Sequence, residues 1–283
     1  MSATPCGLGV SGSDISFNTR VKSYPDGRRA VLVCDKPIFK APGWEAAGWR
    51  AAVPAHEVQQ EHEPSPANLE RSRRRAVVQL RDLALCTPFR YFVTLTLDKS
   101  RVDRYDAAAI VKRLKSWLDN NVRRKGLAYV LVPERHQDGA IHFHGFFNDA
   151  LPVVDSGTMV PPGGGKPRRP RSAAQRREWA DMGGHVVYNL PGWGLGFSTA
   201  IELYGEYPRA VAYVCKYIGK QDEKIGGRWY YSGGSLGRPE VSYCDSSIRD
   251  LEQAEGAYSF AVRPAGLSFV GITLEGGDRD GSG

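Results

Sequence analysis

Cysteine is sparse and unpatterned in this chain, with five residues in 283, at positions 6, 34, 86, 215 and 244. No Cys-x-x-Cys spacing occurs and the number is odd, so neither a zinc ribbon nor a disulfide framework is suggested. No apolar run reaches 18 residues, and no membrane span is expected. The start, Met1-Ser-Ala-Thr-Pro-Cys-Gly7, lacks both a basic n-region and an apolar core and does not read as a signal peptide. A Gly-x-x-x-x-Gly-Lys-Ser/Thr run is also missing, so no phosphate-binding loop of that type is expected. Together these absences point to a reduced, cytoplasmic setting. What the chain has in excess is positive charge. Lys and Arg number 38 against 31 Asp and Glu, a net +7 that suits a polyanionic partner.

Residues 1–64 are rich in Gly, Pro and polar residues, with short β-like pieces such as Ala30–Cys34, and Ala55–Pro64 resembles a linker. Ser65 as N-cap and Pro66 at the first position open a helix to about Leu85. Its Arg71, Arg73, Arg74 and Arg75 form either a solvated face or a backbone-phosphate contact. Tyr91–Leu97 reads as a strand. Ile110, Val111, Leu114, Trp117 and Leu118 at helical spacing predict a helix from about Tyr105 to Val122. The stretch Val153–Asp181 is dominated by Pro, Gly and Arg, which cannot build a core, and is expected as a mobile basic loop near the functional site. Gly184–Tyr188 and Gly196–Leu203 look like strands. Arg228–Tyr231 reads as a closing strand whose aromatics either join the core or stack on single-stranded bases. The tail from Glu275 is expected to be disordered. The order β-α-β-β-β-α-β predicts an α+β fold, an antiparallel sheet with helices packed on one face. The expected domains are an N-terminal extension (1–64), a core (65–245) with a basic insertion at 153–181, and a C-terminal extension (246–283).

Two constellations carry chemistry. Tyr213-Val-Cys-Lys-Tyr-Ile-Gly-Lys220 reads Tyr-x-x-Lys twice, in a helix opened by Pro208. Val211, Val214, Cys215 and Ile218 follow helical spacing and mark the buried face. Tyr213, Tyr217, Lys216 and Lys220 then lie almost opposite it, two phenols beside two ammonium groups. The second constellation is a predicted hairpin, Leu127–Pro133 and Ala140–Phe147, joined through a turn with the step Asp138-Gly139. His142 and His144 project to one face of their strand, about 7 Å apart. A three-residue loop, Gln137-Asp138-Gly139 with Gly139 left-handed, pairs Glu134 with His142 and adds a carboxylate to that face. A two-residue loop puts Glu134 on the other face. A His/His/Glu set with open positions suits a Lewis-acid role for Mg²⁺ or Mn²⁺, with Zn²⁺ also open. His136 reads as a loop residue.

Taken in chain order, the β-rich run Tyr91–Leu97, His142-Phe143-His144 with Glu134 upstream, and the double Tyr-x-x-Lys helix resemble rolling-circle replication initiators of the HUH endonuclease superfamily. The paired tyrosines look most like the replication gene A proteins of single-stranded DNA phages. The resemblance covers roughly residues 85–235. It implies an HUH/RRM-like nuclease core that nicks single-stranded origin DNA. Tyr213 and Tyr217 would be nucleophiles, helped by Lys216 and Lys220, and Glu134, His142 and His144 would hold Mg²⁺ or Mn²⁺. The products would be a 5′-phosphotyrosine and a 3′-OH primer, with later rejoining of the displaced strand. DNA contacts are expected from Arg168, Arg169, Arg171, Arg176 and Arg177, and a host helicase and DNA polymerase as partners in a bacterial cytoplasm. A transposase or relaxase of the same superfamily, or a non-catalytic origin-binding regulator, is the alternative.

Overall fold

A computed structural model describes residues 16–40, 65–204, 207–247, 260–262 and 269–274. The expected linker at 55–64 and the tail from 275 lie outside the described residues. The chain divides into two units, Pro64–Arg238 and a second that joins Met1–Glu63 to Pro239–Gly283. In the second, four short strands come first: β1 (Ser16–Phe17), β2 (Thr19–Ser23), β3 (Arg29–Cys34) and β4 (Phe39–Lys40).

The first unit begins where the Ser65 hydroxyl accepts a hydrogen bond from the Asn68 amide (3.4 Å), capping α1 (Pro66–Cys86). Strand β5 (Tyr91–Leu97) follows, then α2 (Ala107–Lys125), which is capped by Asp106 and ends on left-handed Gly126. The hairpin is β6 (Tyr129–Arg135) and β7 (Ile141–Phe147). After it come β8 (Val154–Val160), α3 (Ala173–Asp181), β9 (His185–Asn189), β10 (Gly196–Glu202), α4 (Tyr207–Gly219) and β11 (Tyr231–Gly233). The seven strands form one antiparallel sheet in the order β11-β6-β7-β5-β10-β9-β8.

The expected class, α+β on an antiparallel sheet, is what the chain adopts. The helices, however, divide between the two faces. On one face Ile110, Leu114 and Leu118 of α2 pack on Val93, Leu95, Leu131 and Phe143. On the other, Leu80 and Leu83 of α1 and Val211, Val214 and Ile218 of α4 cover Val130, Val132 and Phe146. The central strands are apolar on both faces, so both need a helical cover. Cys215 of α4 is buried in this second layer with its thiol against the Val77 carbonyl, and burial pushes the thiol up to about 11. It is expected to resist a disulfide reagent at pH 8 until the chain is unfolded, which a thiol titration with and without denaturant checks.

Two expectations from composition are corrected. Residues 153–181 are not one mobile loop: β8 and α3 occupy most of that span. Thr158-Met-Val160 pairs with His185-Val-Val187, and the Ser172 hydroxyl caps α3 by accepting from the Gln175 amide (3.1 Å). The Pro/Gly/Arg tract is confined to the connection between them. Residues 240–244, expected within the 65–245 core, form β12 (Glu240–Cys244), which pairs with β2 instead. With β13 (Phe260–Val262) and β14 (Phe269–Leu274) they complete an antiparallel sheet, β12-β2-β3-β14-β13, built from both ends of the chain.

Candidate active site

The turn between β6 and β7 decides the site. The His136 amide donates to the Ala140 carbonyl (2.8 Å), and Gly139 stands at φ 83°, so the loop has three residues. Glu134 therefore pairs with His142, and the carboxylate shares a face with both histidines. Across the other edge of β7, Thr96 opposes His142 and Thr94 opposes His144. Each threonine hydroxyl meets a histidine Nδ1, at 3.3 Å for His142 and 3.1 Å for His144. Both rings are thus oriented through Nδ1, the arrangement that leaves Nε2 for a ligand.

At 3.1 Å, His144 Nε2 and Glu134 Oε2 have the spacing of an ion pair. The protonation balance argues otherwise. Burial, followed by the charges of His142, Lys220 and His136, pushes the His144 imidazole down to about 4. Burial likewise lowers His142, helped by His136, and raises Glu134 against the opposing pull of Lys220 and His136. The contact is best described as a hydrogen bond from a neutral imidazole to the carboxyl group. Two imidazoles that stay neutral at pH 7 are in the state a metal requires. A threonine hydroxyl can donate or accept, so it supports either tautomer. Among the described residues, no group of three or more His, Cys, Asp or Glu is already gathered for a metal ion. Ligation through His144 Nε2 requires its hydrogen bond to Glu134 to open.

Helix α4 sits over these strands. Val211, Val214, Cys215 and Ile218 are buried, as their spacing predicts. Tyr217 departs from the expected outward cluster. It is buried, with its ring stacked on His144 at 4.4 Å between centroids and 7° between planes. About 60° round the helix from Val214, it flanks the buried stripe rather than opposing it. Its hydroxyl donates to the Tyr213 oxygen (2.6 Å), and Tyr213 is 53% exposed. Phe92 of β5 ties the group together, edge-on to Tyr213 (5.9 Å) and stacked with His144 (6.4 Å).

The ammonium groups divide. Lys220, one residue past the end of α4, places Nζ 5.5 Å over the Tyr217 ring and lines the same concavity as Glu134, His142 and His144. Lys216 is exposed and does not line it. The Tyr217 phenol is pushed well above the usual tyrosine range, by burial first and then by its hydrogen bond to Tyr213 and the charges of Tyr213 and Glu134. The expectation that a neighbouring ammonium eases its ionisation thus meets a larger opposing effect. His136, read as a loop residue, also lines the concavity, with its ring centroid 5.2 Å from that of His142. Once Glu134 opposes His142, period two puts residue 136 on the same face, so the signal lay in the register.

The five arginines expected on the basic loop are elsewhere. Arg168 stacks over Trp179 (5.0 Å), Arg176 pairs with Asp155, and Arg169 lies against Gly157. The Arg171 amide donates to Gln175, and Arg177 is exposed on α3. They surround β8, four places from β7 in the sheet order, roughly 19 Å at about 4.8 Å per strand. A place beside the histidines is therefore corrected to the far edge of the sheet.

No helix among the described residues is long and apolar enough to cross a membrane. Comparison with curated proteins and with solved structures found no match. Residues 90–222, which run from β5 through the hairpin and α4 to just past Lys220, match the family model for replication-associated proteins of the ORF2 type, and the match supports a replication-initiator family for this core.

Proposed function

We propose that the chain is an HUH-type nicking and joining enzyme that initiates rolling-circle DNA replication through its two tyrosines. The observation that carries this reading is the contiguity of the two constellations. Tyr217 stacks on His144, and its hydroxyl hands a hydrogen bond to the exposed Tyr213 oxygen. Tyr213 is the first nucleophile. Its oxygen is reachable, and the hydrogen bond it accepts supports the negative charge in the entering phenol. The phenol oxygen bonds to phosphorus and the P–O3′ bond breaks. The phenolic proton, which that hydrogen bond does not use, leaves to solvent, and the departing 3′ oxygen is protonated to give the primer. Because one phosphodiester replaces another, the step reverses readily, and Tyr217 is placed to accept a second strand.

Glu134, His142 and His144 would hold Mg²⁺ or Mn²⁺, which supplies positive charge to the phosphate oxygens. The donor chemistry fits: two neutral imidazoles and a carboxyl group share a sheet face, with both Nδ1 atoms engaged by threonines. Replacing Thr94 by Val removes the partner that orients His144. Mn²⁺ affinity, read by calorimetry, is expected to fall by about 10–100-fold.

The reading is tested with a single-stranded origin oligonucleotide and Mn²⁺. A label at the 3′ end should migrate with the protein in denaturing gels, and a label at the 5′ end should stay on a free fragment with a 3′-OH. Labelled DNA that binds but is never cut would favour an origin-binding regulator.

A further inference from the structure

The arginine run on α1 is split by the structure into two sets. Arg73 and Arg74 both pair with Glu70, and Arg73 also donates to the Gly219 and Gln221 carbonyls at 3.1 and 3.3 Å. These two are engaged within the fold. Arg71 and Arg75 make no ion pair among the described residues, and they stand one helical turn apart on a cleft of about 500 Å³ between α1 and residues 224–232. Lys224 and Arg228, likewise without an ion pair among the described residues, line its opposite wall. Among the described residues, no Asp or Glu lines the cleft.

Four exposed cations gathered without a counter-charge repel one another, and an anionic ligand relieves that repulsion. The cleft is large enough for a nucleotide-sized group. Its wall also holds Tyr230, half-buried, with its hydroxyl 3.3 Å from Gln79 Oε1, offering a ring face beside the charges. The cleft adjoins the tyrosine site through a short, braced segment. Lys220 lines the concavity with the histidines, and Lys224, four residues on, lines the cleft. Between them Gln221 donates to the Pro133 carbonyl, and Glu223 pairs with Arg135 at 2.8 Å.

We propose that this cleft is a second DNA-binding tract, taking the sugar–phosphate backbone of single-stranded DNA that extends from the phosphate at the tyrosines. The placement of the strand rests on the nicking function proposed above, but binding by the cleft is measurable without cleavage. The full chain is titrated against a fluorescein-labelled oligothymidylate by anisotropy, over about 50 to 300 mM NaCl. For R71A/R75A the slope of log K against log salt is expected to become shallower by about 1.4, two contacts at about 0.7 each on a single strand. R71K/R75K should restore most of that slope. R74A, which breaks only the Glu70 pair, should leave it in place. Thermal midpoints of all three variants check that the fold is intact.

An unchanged slope in a folded R71A/R75A protein overturns the proposal. So does a change seen with duplex but not with single-stranded DNA. The adduct assay run in parallel separates the two readings. A wild-type protein that forms no adduct, with a slope that still falls in R71A/R75A, removes nicking and keeps the cleft. Adduct formation with an unmoved slope removes the cleft and keeps nicking.

Discussion

Replacing Tyr213 by Phe is expected to reduce the covalent adduct on first-cleavage substrates at least about a thousandfold, equivalent to about 4 kcal/mol of barrier. Of the two phenols, only that of Tyr213 is exposed, and it receives the hydrogen bond that its partner donates. Its removal costs little stability, because the phenol meets solvent, so a normal thermal midpoint should accompany the loss. Tyr217→Phe behaves differently. First cleavage slows by roughly ten- to a hundredfold, the worth of a hydrogen bond to a charged oxygen at about 1.5–3 kcal/mol. Transfer of a second strand is lost. Single-turnover cleavage by each variant, with the adduct mapped by peptide mass, separates these roles. If Tyr213→Phe cuts at near wild-type rate while Tyr217→Phe does not, the order of attack is reversed. If the double variant still forms the adduct, neither tyrosine is the nucleophile.

Gly145→Ala is the second large effect, and it acts through the fold. Gly145 pairs with Val93 on one side and Leu131 on the other, in the strand that bears both histidines. A Cβ there would lie 1.9 Å from the Val130 carbonyl oxygen and 2.9 Å from Leu131 Cα. Neither neighbour is a side chain that can swing aside, so β6 and β7 must separate where Glu134 and His142 are positioned. A loss of at least about 3 kcal/mol is expected, above the middle of the overpacking range. For a unit of this size that corresponds to a fall of roughly 6–12 °C in thermal midpoint. Calorimetry on the variant checks it. A fall under about 3 °C would mean that the strands tolerate the extra methyl and that the glycine has another purpose.

Much of the core was legible because its local signals agree. Ser65-Pro66, the alternation of Tyr91–Leu97 and the helical spacing of Ile110–Leu118 each carry their own punctuation, and the elements formed near the expected boundaries. The Glu134 register was legible only as a condition on the loop, since backbone torsion at Gly139 chooses between two pairings. Other features were hidden by physics that operates between elements. Central strands with apolar residues on both faces do not say which helix covers which face, so α2 and α4 could not be assigned to opposite sides. Tyr217 lies at the flank of a helical stripe, where burial depends on whether a neighbour, here His144, offers a ring to stack on. Composition alone hid β8 and α3, because seven ordinary strand residues and a capped helix flank the Pro/Gly tract that dominated the count.

Helix α4 is fastened near both ends to α1. The Tyr207 hydroxyl holds the Ala84 carbonyl at 2.7 Å, and Arg73 holds the carbonyls of Gly219 and Gln221. A helix splinted in this way is a poor swing arm. The two phenol oxygens are already within one hydrogen bond of each other, so moving from one cut to the next asks the DNA, rather than the protein, to travel. Strand exchange should then be paced by how quickly a new phosphate slides into a standing site, and lengthening or stiffening the DNA would change its rate more than loosening the helix.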